Sequence, residues 1–136
     1  MHRRVAWAWC SALGLGALML STPLQATDCC DPASPFREGE GWAEQPATCE
    51  NIGYWADRAP TTDARISLAI KGRLHKVDGG VLAYLEMCSP KGVQVVCVTY
   101  ETNGMKPGDV VVFGGGYRRS GPKQVVLDPC LAASAE

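Results

Sequence analysis
The sequence predicts an all-β protein: a small five-stranded antiparallel barrel with a disulfide-attached, irregular N-terminal arm. Three observations carry this prediction. Five short apolar or alternating runs crowd into residues 65–131, separated by Gly, Pro, Asn and Asp clusters. No helical period there lasts beyond a turn or two. The chain also holds seven cysteines in 136 residues with a formal charge of only −1, which suits a compact, stapled domain. The hydrophobic share of 46% and charged share of 20% belong to a globular chain.

The first 26 residues read as a leader to be removed before folding. Met1-His2-Arg3-Arg4 is a basic start, residues 5–20 are almost unbroken apolar sequence, and Leu24-Gln25-Ala26 ends in a small residue. Sixteen helical residues reach roughly 24 Å, short of a bilayer's hydrocarbon core. The short basic start and Ala/Leu-rich centre have a bacterial look, so the expected location is periplasmic or secreted, with no membrane span after cleavage. The expected organisation is a signal peptide at 1–26, an acidic cysteine-containing arm at 27–64, a barrel at 65–131 and a tail at 132–136.

Cleavage at Ala26 changes the cysteine count and the charge. Cys10 leaves, and Cys29, Cys30, Cys49, Cys88, Cys97 and Cys130 remain. An even set in an exported chain reads as three disulfides. Adjacent Cys29 and Cys30 make a geometrically poor pair, so bonds to more distant partners are expected. No C-x-x-C spacing occurs and His75 is the one mature histidine, so neither a metal nor any cofactor is expected. Loss of Arg3 and Arg4 takes the charge to −3. The arm is acidic, with Asp28, Asp31, Glu38, Glu40, Glu44, Glu50, Asp57 and Asp63 against Arg37 and Arg58, while the remainder is mildly basic. Three cysteines lie in the arm and three in the barrel. If all pair within one chain, an odd number of bonds must join the two regions.

The arm carries Pro32, Pro35, Pro46 and Pro60 and no usable period, though a single helical turn fits around residues 52–56. From residue 65 strands begin. Ile66, Leu68 and Ile70 alternate with Ser67, Ala69 and Lys71, and Gly72 suggests a bulge or bend. Residues 77–80 supply a turn, 81–88 a second strand, 89–92 another turn, and 93–100 a third strand. Asn103-Gly104 and Lys106-Pro107-Gly108-Asp109 precede a fourth strand at 110–113, which Gly114-Gly115-Gly116 is expected to break. A loop at 118–123 leads to a fifth strand at 124–128.

The glycine-kinked first strand, the long second-to-third hairpin and the Met105–Val110 approach to strand four together resemble an OB-fold. The resemblance covers about half of the chain and is one of fold, without a specific family. It implies an OB-like barrel whose helix between strands three and four is lost or vestigial, because only residues 101–106 are available. It also implies that ligands lie on the outer face of strands two and three, between the loops joining strands one to two and four to five.

Pairing about the Pro90-Lys91 turn sets Cys88 opposite Val93 and Tyr84 opposite Cys97. Val81, Ala83, Leu85, Met87, Val96, Val98 and Tyr100 would then face the core. Tyr84 would be the sole outward aromatic of the hairpin, and Cys88 and Cys97 would both point outward, out of reach of each other. A longer hairpin loop would let those two cysteines meet. On the first register the arm is bonded over the outer face of strands two and three.

The loops framing this face carry Arg73, His75 and Lys76 on one side and Arg118, Arg119 and Lys123 on the other. With Tyr84, these are the candidate anion- or ligand-binding residues. One ring beside Glu86 is a thin platform for single strands, so nucleic acid is disfavoured. G-x-S-x-G, H-E-x-x-H and P-loop motifs are missing, and no catalytic residue is expected. The reading is a non-enzymatic binding or protein-interaction module of the bacterial envelope, with an envelope protein or anionic ligand as partner. The alternative is an oligosaccharide- or single-stranded nucleic-acid-binding protein.

Overall fold
The structure, a computed structural model, describes residues 29–88 and 91–135. The expected leader lies outside the described residues, as do Ser89 and Pro90 of the expected turn. Among the described residues, strand accounts for 50% and helix for 6%. In chain order the elements are β1 (Phe36–Glu38), β2 (Ala47–Thr48), α1 (Ile52–Asp57), β3 (Ile66–Asp78), β4 (Ala83–Met87), β5 (Gln94–Thr99), β6 (Val110–Gly121) and β7 (Gln124–Ser134).

Five of the strands close a barrel in the order β3-β4-β5-β7-β6, with β6 returning to β3. This order is compatible with an OB-like fold. The barrel is antiparallel except where β5 and β7 run side by side in parallel. Strand β3 belongs to two walls. Residues 67–73 pair with β6, and pairing with β4 takes over from Leu74 to Asp78. The bulge expected at Gly72 falls instead between Leu74 and Lys76, at His75. Gly72 is needed for close approach: a Cβ there would come within 2.9 Å of both Cys49 Sγ and Met87 Sδ.

The glycine triplet does not end the fourth barrel strand. Strand β6 runs through it, and Arg118 and Arg119 are strand residues, not loop residues. A Cβ on Gly115 would strike the Pro129 carbonyl oxygen and lie 2.9 Å from Cys130 Cα, and one on Gly114 would meet the Trp42 ring at 2.9 Å. Missing side chains let β7 and Trp42 close down on β6, and the strand survives because its backbone stays paired with β3 and β7. Strand β7 in turn continues to Ser134.

The second-to-third hairpin is displaced by one residue from the expected register. Ala83 pairs with Thr99, Leu85 with Cys97 and Met87 with Val95. Because side chains alternate with period two, a one-residue slip turns the whole of β5 over. Val95 and Cys97 are therefore fully buried, whereas Tyr100, expected in the core, is 78% exposed. Val81 is also exposed, and Val98 turns outward opposite Tyr84. Cys88 leaves the strand in the left-handed region with φ 70°, so the connection holds one more residue than a turn started at Ser89 would.

The arm is less irregular than expected and lies elsewhere. Strand β1 pairs antiparallel with β3, Phe36 against Leu68, and β2 pairs parallel with it, Ala47 against Ile70. The arm thus covers the length of β3 that β4 leaves free, and not the outer face of β4 and β5. Phe36, Ala47, Ile52 and Ala56 belong to the same buried cluster as Leu68, Ile70, Phe113 and Leu127. Helix α1 forms where one turn was expected. It packs at the end of the barrel beside the β6–β7 hairpin, where the Tyr117 hydroxyl donates to the Ala56 carbonyl at 3.5 Å. Phe36 meets the Tyr117 ring edge-on at 5.1 Å. The segment between β5 and β6 forms no helix, and its Met105 packs against the core.

Cys49–Cys88 joins arm to barrel, Cys97–Cys130 joins β5 to β7 inside the barrel, and Cys29–Cys30 forms despite the expectation that neighbours would avoid each other. With the two neighbours bonded, a single crossing bond satisfies parity. The register slip explains the barrel bond, because it turns Cys97 inward to meet Cys130.

Candidate binding face
The outer surface of the barrel can be followed as a ladder of paired residues. One row runs Lys76, Glu86, Val96, Val126, Arg118 across β3, β4, β5, β7 and β6. The neighbouring row places Asp78 beside Tyr84 and Tyr84 beside Val98. The bulge at His75 makes two successive residues, His75 and Lys76, point outward. His75 Nε2 lies 3.4 Å from Glu86 Oε2, which also accepts from Gln94 Nε2 at 3.1 Å. Lys76 Nζ lies 3.2 Å from Asp78 Oδ2, and its hydrogen bond to that carboxylate holds the ammonium above the usual lysine range.

The expected basic residues do not converge on one point. Lys76 and Arg118 occupy opposite ends of the row, four interstrand steps or roughly 19 Å apart along the sheet. Arg73 donates to the Gly108 carbonyl at 2.6 Å. Arg119 turns toward α1 and binds Asp57 at 2.7 Å, while donating to the carbonyls of Gly121 and Pro122 at 3.1 and 2.7 Å. Lys123 sits exposed in the hairpin turn. Tyr84, Lys76, His75 and Arg118 share the outer face; Arg73 meets His75 alone of these, in the cleft beside Cys49 and Cys88, and Arg119 and Lys123 do not join them. Arg119→Ala should therefore lower stability by about 1–2 kcal/mol, since it removes a charged side chain with three partners. Arg118→Ala should stay within about 0.5 kcal/mol. Equal effects in urea unfolding would refute this assignment.

Apolar residues are what the face gathers. Tyr84 is 43% exposed, Leu82 37% and Val81 98%, all at or just before β4. Tyr100 lies beyond the end of β5 and lines two hollows. One, of about 420 Å³, is bounded by Gly79, Gly80, Ala83 and the 101–104 turn. The other, of about 240 Å³, lies between Trp42 and Leu131 over the glycines of β6. Trp42 and Leu131 are themselves 48% and 64% exposed. Arg65 borders this groove, 3.7 Å from Glu40. Tyr100 and Trp42 escaped the sequence reading for separate reasons. The register slip hid the first, and nothing in the arm's sequence said which strand Trp42 would lie against.

Among the described residues, no group of three His, Cys, Asp or Glu side chains is placed to hold a metal ion. Among them, too, no helix is long and apolar enough to cross a membrane. Neither a family model nor a curated protein matches the chain.

Proposed function
We propose that this chain is an exported, non-enzymatic OB-like module of the bacterial envelope that binds a protein partner through its aromatic outer face. One observation carries the reading. Three large apolar side chains left exposed, Trp42, Tyr100 and Leu131, line one hollow, Tyr100 also lines the second, and the exposed Val81 and Leu82 lie in the chain between Gly80 and Ala83, which border that second hollow. Contiguous apolar surface of this kind marks interaction sites, and Tyr and Trp are the residues that most often carry binding energy there. The three disulfides suit an oxidising compartment. They also engage all six cysteines of the described residues, and His75 faces Glu86 rather than a nucleophile.

The Trp42–Tyr100 groove supports a second reading, an oligosaccharide ligand, because rings flanking a cleft offer flat apolar faces with polar groups beside them. Nucleic acid is less favoured, since the acids Asp78, Glu86 and Glu101 accompany the cations around Tyr84 and Tyr100. Affinity capture from an envelope extract, repeated with Tyr100→Ala and Tyr84→Ala, tests the proposal. Recovery of the partner should fall at least about tenfold with each variant, while the thermal midpoint stays near that of the parent. Unchanged recovery would refute the assignment. Binding on a glycan array that Tyr100→Ala abolishes would move the ligand class to oligosaccharide.

A further inference from the structure
Strand β3 has a break in its covering that the aromatic face does not share. Along one edge β2 pairs as far as Lys71, and β4 takes over at Leu74. Gly72 and Arg73 are the two positions on that edge that neither strand covers. The Cys49–Cys88 disulfide spans the gap from the end of β2 to the end of β4, and an open cleft of about 460 Å³ lies there. Lys71, Arg73 and His75 all line it, with Glu50 as the one acid of its lining.

The geometry points to this notch as an anion site for a phosphate-bearing ligand. Two cationic side chains, Lys71 and Arg73, and the His75 imidazole project from alternate positions of one strand, so they recur about every 7 Å along the cleft. Arg73 lines the cleft while one of its guanidinium nitrogens donates to the Gly108 carbonyl at the β6 edge of β3, which restrains the side chain and leaves its other donors for an anion. The backbone of its neighbour Leu74 is fixed by hydrogen bonds to Asp109 and from Gly108 at 2.9 and 2.8 Å. A guanidinium held in place loses less freedom on binding and presents its remaining donors as a fork that matches a phosphate. Gly72 keeps the floor low, since any side chain there would press on the disulfide sulfur. The phosphate group has two sources, a soluble phosphorylated compound or a phosphate-bearing lipid headgroup, and both present the same oxygens.

Inorganic pyrophosphate and phosphatidylcholine vesicles containing phosphatidic acid separate them. Titrating the oxidised protein with pyrophosphate at low salt should shift the amide resonances of Gly72 and Arg73. The affinity should fall about tenfold or more in Lys71→Gln/Arg73→Gln and weaken in high salt. Glu50→Gln should bind more tightly than the parent. Co-sedimentation with the vesicles, lost in the double variant, would assign the site to a membrane headgroup; pyrophosphate binding without vesicle binding would assign it to a soluble anion. Both exposed substitutions leave the core intact, and a thermal midpoint close to the parent's confirms that. Neither probe binding, or a double variant that binds as tightly as the parent, overturns the proposal.

Discussion

Replacing Cys97 and Cys130 together with alanine is expected to lower the stability of the barrel by about 4 kcal/mol, the chain-entropy value for a loop of this size. The two residues are 33 apart in sequence and both are buried, at 0% and 3% exposure. Cutting the bond frees the unfolded chain between β5 and β7. It also removes two sulfur atoms from a packed interior, which adds to the loss. At 4–8 °C per kcal/mol for a domain near this size, the thermal midpoint should drop by about 20 °C. Alanine at both Cys29 and Cys30 is the internal control. That bond joins neighbours and closes no loop of chain, so its removal should move stability by less than about 0.5 kcal/mol. Thermal unfolding of the two double variants beside the parent decides the matter. A Cys97/Cys130 variant as stable as the parent would show that packing alone holds β5 against β7.

Gly115→Ala should be the most damaging single methyl addition to the barrel, at about 3 kcal/mol. The added carbon would collide with the Pro129 carbonyl oxygen and approach Cys130 Cα to 2.9 Å. Both are backbone atoms of β7, the strand hydrogen-bonded to it, so no rotamer change relieves the contact. Relief requires β6 and β7 to separate, which disturbs Cys130 and its disulfide to β5. Gly121→Ala, at the end of the same strand, has nothing within 4 Å of its new carbon and should stay within about 0.5 kcal/mol. Urea midpoints for the pair measure the difference. Similar midpoints would mean that the triplet is not there to admit β7.

Both expectations depend on register, and register marks the boundary between what was legible in the sequence and what was not. Alternation in residues 66–71, apolar runs near 81–88, 93–100, 110–113 and 124–128, and the Gly, Pro and Asn clusters between them identified the five barrel strands. Periodicity and turn chemistry are local properties, and they survive folding because both strand faces and turn dihedrals are set within a few residues. The crossing disulfide was legible in a different way: cysteine parity is arithmetic and needs no geometry, though the pairing of Cys29 with Cys30 escaped it.

What the tertiary structure decided was which way each strand faces and which strand each segment meets. A single extra residue between β4 and β5 turned Cys97 inward and Tyr100 outward, exchanging a core residue for the centre of the candidate site. Local sequence weakly constrains that choice, because both faces of β5 are rich in valine and either could be buried. Contact with Leu85, Met87 and the Cys130 sulfur selected one. Likewise β2 is only two residues long and has no strand signal of its own; it exists because the edge of β3 lies open beside it. The Gly114–Gly116 run reads as a strand breaker, yet it is where Trp42 and β7 approach most closely, since the absence of a side chain becomes an advantage only when a neighbour needs the space. Periodicity names the strands, whereas register, edges and close approaches belong to pairs of segments far apart in the chain, and only packing chooses among them.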